Sequence, residues 1–256
     1  MQSHPSIVAA RRLPDVSVVE WGSVALPYGV RPTHIQASIQ GVYDILDDMS
    51  HPLTARGVDR VEDFMLGNSL SGLISELLVQ GLAQRTGLKR NVLVGGFPDL
   101  PPAHYPTNRY QSAPEGIEAK TTIQPRKLEA HHQFVGEFLL FQYFANVPDP
   151  ETVPIAERWP IEFYGVVFGR VESASWWNKV STGKTGRKTQ NTTLKAEYLK
   201  PILRQGSLFI HPNRSEFLGR MKANSDARKR LAEQAGPELE AEDLPSRDVS
   251  EPTNDF

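Results

Sequence analysis

Asn91-Val-Leu-Val-Gly-Gly-Phe-Pro-Asp99 and, after a further eighteen residues, Glu118-Ala-Lys120 form the stretch on which the fold turns. Asn91–Phe97 is a short apolar run bounded by turn formers, which predicts a buried strand. Pro98, Pro101, Pro102 and Pro106 then predict an irregular loop. Gly116-Ile-Glu-Ala-Lys-Thr-Thr122 predicts the next strand, with only Ile117 and Ala119 apolar. On a strand, Glu118 and Lys120 are two apart and project from the same face. With Asp99 at the end of the preceding strand, its carboxylate can converge with Glu118.

Upstream the pattern is helical. Ile35, Ile39, Val42, Tyr43, Ile45 and Leu46 predict a helix from Thr33, its cap, to Met49, with His51-Pro52 ending it. A second helix is expected over 58–84, broken near Gly67-Asn68 and closed by Gly87. Residues 1–32 give no decided element beyond a short apolar stretch at 16–21. Downstream, the sequence predicts a helical segment over 127–133 and strands over 136–145 and 161–171, with another at 207–211. A charged helix is expected over 215–234. Helices followed by strands, then helix and strands, predict an α/β protein with a mixed sheet and helices packed on it.

With 256 residues, 39% hydrophobic and 23% charged, the chain has the composition of a globular protein with an ample core. The expectation is one domain over 1–235 and an acidic, disordered tail over 236–256. The net charge of -2 argues against a polyanionic partner, but its distribution does not. Residues 236–256 hold seven acids against Arg247, so the tail carries -6 and the body +4. No cysteine is present, which excludes disulfides, thiol nucleophiles and Cys-ligated metals. The N-terminal MQSHPSIVAARRLPDV has no long apolar run behind a basic start, and 134–147 is too short to span a bilayer. A cytoplasmic protein with no membrane association is expected.

Four groups of residues suggest chemistry. Ser-Thr-Gly183-Lys184-Thr185 matches the end of a phosphate-binding loop, but Asn178 stands where glycine is needed and no apolar helix follows. A mobile basic loop is the better expectation. Gly67-Asn-Ser69-Leu-Ser71-Gly72 lacks the strand and spacing of a nucleophile elbow, so its serines read as helix residues. His131-His132, adjacent on a predicted helix, would point about 100° apart and cannot chelate one ion there. One ring facing a polar groove and the other packing is expected.

The fourth group is Asp99, Glu118 and Lys120. Magnesium accepts one or two carboxylates together with waters and substrate phosphate oxygens. Such an ion lowers the pKa of a bound water, and a nearby lysine positions or polarises the nucleophile. These residue types therefore suit phosphodiester hydrolysis. Glu118-Ala-Lys120 by itself also reads as a solvent-facing ion pair at a strand edge. The upstream Pro98-Asp99, Thr121-Thr122 and the two apolar strands that follow favour the site.

The Pro98-Asp99 and Glu118-Ala119-Lys120 arrangement resembles the PD-(D/E)xK nuclease superfamily, and within it the type II restriction endonucleases. The similarity spans residues 58–171. It implies a three-layer α/β/α core around a mixed sheet, Mg²⁺-dependent cleavage of double-stranded DNA at a specific site, and a homodimer. Asp99 and Glu118 would be metal ligands, Lys120 the catalytic lysine, and Glu76 a supporting acid on the helix before the first core strand. Glu115 is a possible substitute ligand. The same resemblance admits a repair or mobile-element nuclease, and the different class of a non-catalytic DNA-binding protein stays open beside it.

The segment 173–204 is polar and basic. Its Lys179, Lys184, Arg187, Lys188 and Lys195 interleave with Ser, Thr, Gln and Asn, the types that contact phosphates and base edges. A DNA-contacting loop and an ordinary solvated loop suit this composition equally. Tyr105, Asn108, Arg109 and Gln111 are candidates to reach the same DNA, while Trp176-Trp177 suits a core or dimer contact.

Overall fold

The computed structural model describes residues 24–65, 67–93, 95–105, 112–145, 158–182 and 189–235. Its elements in chain order are α1 (Pro32–Thr54), α2 (Val61–Phe64), α3 (Gly67–Arg85), β1 (Ile117–Thr122), β2 (Glu129–Ala130), β3 (Gly136–Phe144), β4 (Glu162–Val171), β5 (Trp177–Thr182), β6 (Thr189–Leu194), α4 (Ala196–Gln205), β7 (Ser207–Ile210) and α5 (Arg214–Ala235).

Apolar side chains on both faces of β3 and β4 make them the centre of a four-stranded mixed sheet, ordered β1-β3-β4-β7. β1 runs parallel to β3, placing Glu118 beside Phe138 and Lys120 beside Leu140, and the other two pairings are antiparallel. Alternation along β3 sorts the two faces. Leu139, Phe141 and Tyr143 join a core with α1 and α3, which contribute Ile35, Ile39, Val42, Leu46, Ile74, Leu78 and Leu82. Phe138 and Leu140 join the opposite core, capped by Leu199 of α4, by Leu128, and by Ala130, Trp177 and Leu194 of a second sheet, ordered β2-β6-β5. The sheet is thus covered on both sides within a mixed α/β architecture. Phe217 of α5 closes one end against Phe144 and Trp159. Among the described residues no helix is long and apolar enough to cross a membrane.

The strands over 136–145, 161–171 and 207–211 and the helix over 215–234 are found within a residue or two of expectation. The first helix starts earlier and ends later. Pro32, which needs no helical N–H bond, opens it after Arg31 in place of Thr33. Pro52 lies inside its last turn, where Ala55 N–H bonds the His51 carbonyl and the Thr54 hydroxyl bonds that of Ser50. Ser50 also accepts from Val61 N–H and donates to the buried Glu62, anchoring α2 to the end of α1. The expected 58–84 helix is two elements, parted at Met65, whose backbone is extended. Gly87 is not left-handed; Thr86 closes α3 instead, its hydroxyl donating to the Leu82 carbonyl at 2.7 Å.

Two expectations fail outright. The described residues of 91–97 lie in a loop, not a buried strand, with Val92 69% and Leu93 43% exposed. Gly95 at φ 73° turns the chain, and the Asn91 amide bonds the Pro98 carbonyl, so the run folds on itself rather than along a neighbour. The segment 127–133 is no helix: Glu129–Ala130 pairs with β6. In the basic segment over 173–204 the described residues form β5, β6 and α4, while residues 183–188, on which the expected basic loop centres, lie outside the described residues. Antiparallel strands on both sides of Gly183-Lys184-Thr185 remove the strand-to-helix context a phosphate loop requires. That tripeptide, the 16–21 stretch and the 236–256 tail lie outside the described residues.

Candidate active site

Asp99 reaches β1 although its own segment is not a strand. Leu100 and Ile117 exchange both backbone bonds at 3.0 Å, so 99–101 lies along the outer edge of β1 as a short strand would. Gly116 makes this approach possible. It holds φ 137°, and a Cβ there would lie 2.5 Å from the Leu100 carbonyl oxygen and from Pro98 Cγ. The glycine just before β1 is what admits its partner.

Two reciprocal bonds fix the acids. Asp99 N–H donates to Glu118 Oε2 at 3.1 Å, and Ala119 N–H donates to Asp99 Oδ2 at 3.0 Å. Lys120 Nζ stands 2.5 Å from Glu118 Oε1, confirming that these two side chains share a face. Glu118 is 2% exposed, and Lys120 is its counter-charge. Burial and the neighbouring Glu118 carboxylate push the Asp99 carboxyl up to about 7, against the opposing pull of Lys120 and the Ala119 N–H. Two carboxylates and one lysine thus meet in a recess that favours more positive charge than Lys120 supplies.

His132 is the member of this neighbourhood that the sequence did not place. Its ring stands edge-on to Phe97 at 5.8 Å, and Phe97 also packs on Phe134. Burial first, then Lys120 and His131, lower its pKa, while Asp99 acts in the opposite sense. The adjacent-histidine motif was visible, but no local spacing connects position 132 to 99 and 120.

The other predicted residues do not enter the cluster. Glu76 is on α3, its side chain 62% exposed and paired with Arg90. Helical phase sets this: Ile74 and Leu78 are the buried positions flanking it. Glu115 is exposed on the approach to β1, where its charge bears on Tyr28, whose hydroxyl accepts the Gly116 N–H. Lys195 caps α4 with its ammonium 6.0 Å from the Tyr198 ring, beside the Trp176–Tyr198 stack. Lys179 lies on β5. Arg109, Lys184, Arg187 and Lys188, with Asn108 and Gln111, lie outside the described residues.

Among the described residues no group of three or more His, Asp or Glu side chains is arranged as a metal cage. Two convergent carboxylates are nonetheless a donor set that suits Mg²⁺, which retains several waters and takes few protein ligands. Comparison with protein families, with curated proteins and with solved structures finds none that matches this chain.

Proposed function

We propose that the chain is a Mg²⁺-dependent endonuclease of the PD-(D/E)xK type that hydrolyses phosphodiester bonds of double-stranded DNA, with a restriction enzyme as the particular form. The observation that carries this is the convergence of Asp99, Glu118 and Lys120 at one sheet edge, from positions up to 21 residues apart. A mixed sheet covered on both faces is compatible with it. Asp99 and Glu118 would hold the cation. When bound, Mg²⁺ supplies a water of lowered pKa and offsets charge on the phosphate. Lys120, fixed by Glu118, orients the attacking water or contacts a phosphate oxygen. The backbone N–H bonds to both carboxylates hold their oxygens in place before substrate arrives.

The second reading is a DNA-binding protein without catalysis. It is favoured by the same bonds, since both Glu118 oxygens are engaged inside the protein and an ion pair of this kind can serve the fold alone. Supercoiled plasmid with Mg²⁺ separates the two. The nuclease reading expects nicked, linear or fragmented product, with Asp99→Ala and Lys120→Ala each slowing cleavage about 100-fold or more. Cleavage that survives both substitutions, or none by the wild type, sinks it. Discrete fragments point to a restriction enzyme and a smear to a repair-type nuclease.

A further inference from the structure

Val92 and Leu93 are large apolar side chains left in solvent, 69% and 43% exposed, on a loop that leads directly into the acidic recess. Exposure here does not come from a slack chain. Asn91 N–H donates to the Asp99 carbonyl at 2.8 Å, the Asn91 amide donates to the Pro98 carbonyl, and its Oδ1 accepts the Leu93 N–H. Gly96 N–H closes the turn onto the Leu93 carbonyl. A Cβ on Gly96 would fall 2.5 Å from the Asn91 amide nitrogen, so the side chain that braces the loop occupies that space. The loop's aromatic residue, Phe97, is turned inward against Phe134 and His132. Val135, 47% exposed, follows Phe134 on the adjoining loop, and Phe97 lies against Gly136. Phe97 thus links the braced loop that carries Val92 and Leu93 to the segment that carries Val135.

We propose that Val92 and Leu93 form the tip of a wedge that enters a base step of the DNA beside the Asp99–Glu118 pair, with Val135 as a second apolar contact. This rests on the nuclease reading above. A base step offers what the tip requires, a flat apolar surface flanked by phosphates, and exposed Lys89 sits at the foot of the loop to meet one of them. A lipid surface would call for a broader basic rim, whereas the adjacent Arg90 is engaged by Glu76. Unstacking the step opens the backbone next to the carboxylates, which couples the wedge to placement of the phosphate that is cut.

The test compares two short duplexes in fluorescence anisotropy at low salt, with Ca²⁺ replacing Mg²⁺. One duplex is intact and the other carries a single unpaired base that already opens a step. The full-length wild type binds the bulged duplex more tightly. Replacing both Val92→Ser and Leu93→Ser weakens the intact duplex about tenfold and the bulged duplex no more than about twofold, because the cost of unstacking has been removed from the second. Both positions are exposed, so the melting temperature of the double variant stays at the wild-type value. Equal losses on the two duplexes, or no loss, overturn the wedge while leaving the nuclease reading intact. A variant that instead loses binding to phosphatidylserine vesicles, with DNA binding unchanged, overturns it in favour of a membrane contact. A wild type that binds neither duplex overturns both proposals.

Discussion

Asp99 and Glu118 each accept a backbone N–H from the other's segment, so neither carboxylate can swing away when both are ionised. Burial first, and then this repulsion, appear instead as a proton held on Asp99 up to about 7. A carboxyl whose folded pKa lies above its unfolded value of 3.8 contributes most to stability below pH 4, and that contribution is lost as pH rises to about 7. Asp99→Asn keeps the shape and removes the ionisation. Thermal melts should therefore place Asp99→Asn above the wild type at pH 8 by about 2–4 °C, the effect of roughly 1 kcal/mol in a chain of this size, with no such gap at pH 4. Mg²⁺ should raise the wild-type melting temperature at pH 8 and not at pH 5, where protons hold the carboxylate. Equal Mg²⁺ effects at both pH values would place the ion elsewhere.

At the scale of elements, the covering of the second sheet face depends on one small residue. Gly169 of β4 faces α4, and a Cβ there would lie 2.4 Å from Ile202 Cγ2 and 2.8 Å from the ring of the fully buried Phe138. Gly169→Ala must push α4 outward or shift the ring beside Glu118 on β1, which Phe138 adjoins in register. A loss of about 1–3 kcal/mol in denaturant unfolding is expected. The same scale shows what the sequence could disclose. β3 and β4 were readable because strands buried on both faces are written as continuous apolar runs. Asn91–Phe97 has the same composition, yet its outcome is decided by Gly95 and by Asn91, whose side-chain amide and backbone N–H bond carbonyls seven and eight residues on. The Glu129–Ala130 segment was misread because its partner strand is more than sixty residues away. Glu118 and Lys120 were legible as a pair since a strand puts i and i+2 on one face. Asp99 meets Glu118 from a loop rather than from the strand that its sequence predicts, and the approach of His132 to Phe97 belongs to the folded chain alone, although the histidine pair itself is plain in the sequence.

Across the whole molecule, charge is divided in a way the net of -2 conceals. Residues 1–235 carry +4 and residues 236–256 carry -6. A polyanionic partner and a covalently attached acidic segment compete for the same basic groups, and attachment gives the segment a high local concentration. Association with DNA releases counterions in proportion to the phosphates neutralised, so affinity at low salt reports how many basic groups are free to engage. Removing residues 236–256 should then raise affinity for duplex of arbitrary sequence at low salt by about tenfold, with the gain shrinking as ionic strength rises past roughly 0.15 M. Anisotropy titrations of the full chain and the truncated chain across a salt series measure this directly. A steeper dependence of log affinity on log salt in the truncated chain means that the tail had been occupying phosphate-binding residues. Parallel lines with a constant offset would mean that the tail lowers affinity by a route other than charge, since repulsion too is screened by salt, and coincident lines would leave it no part in binding.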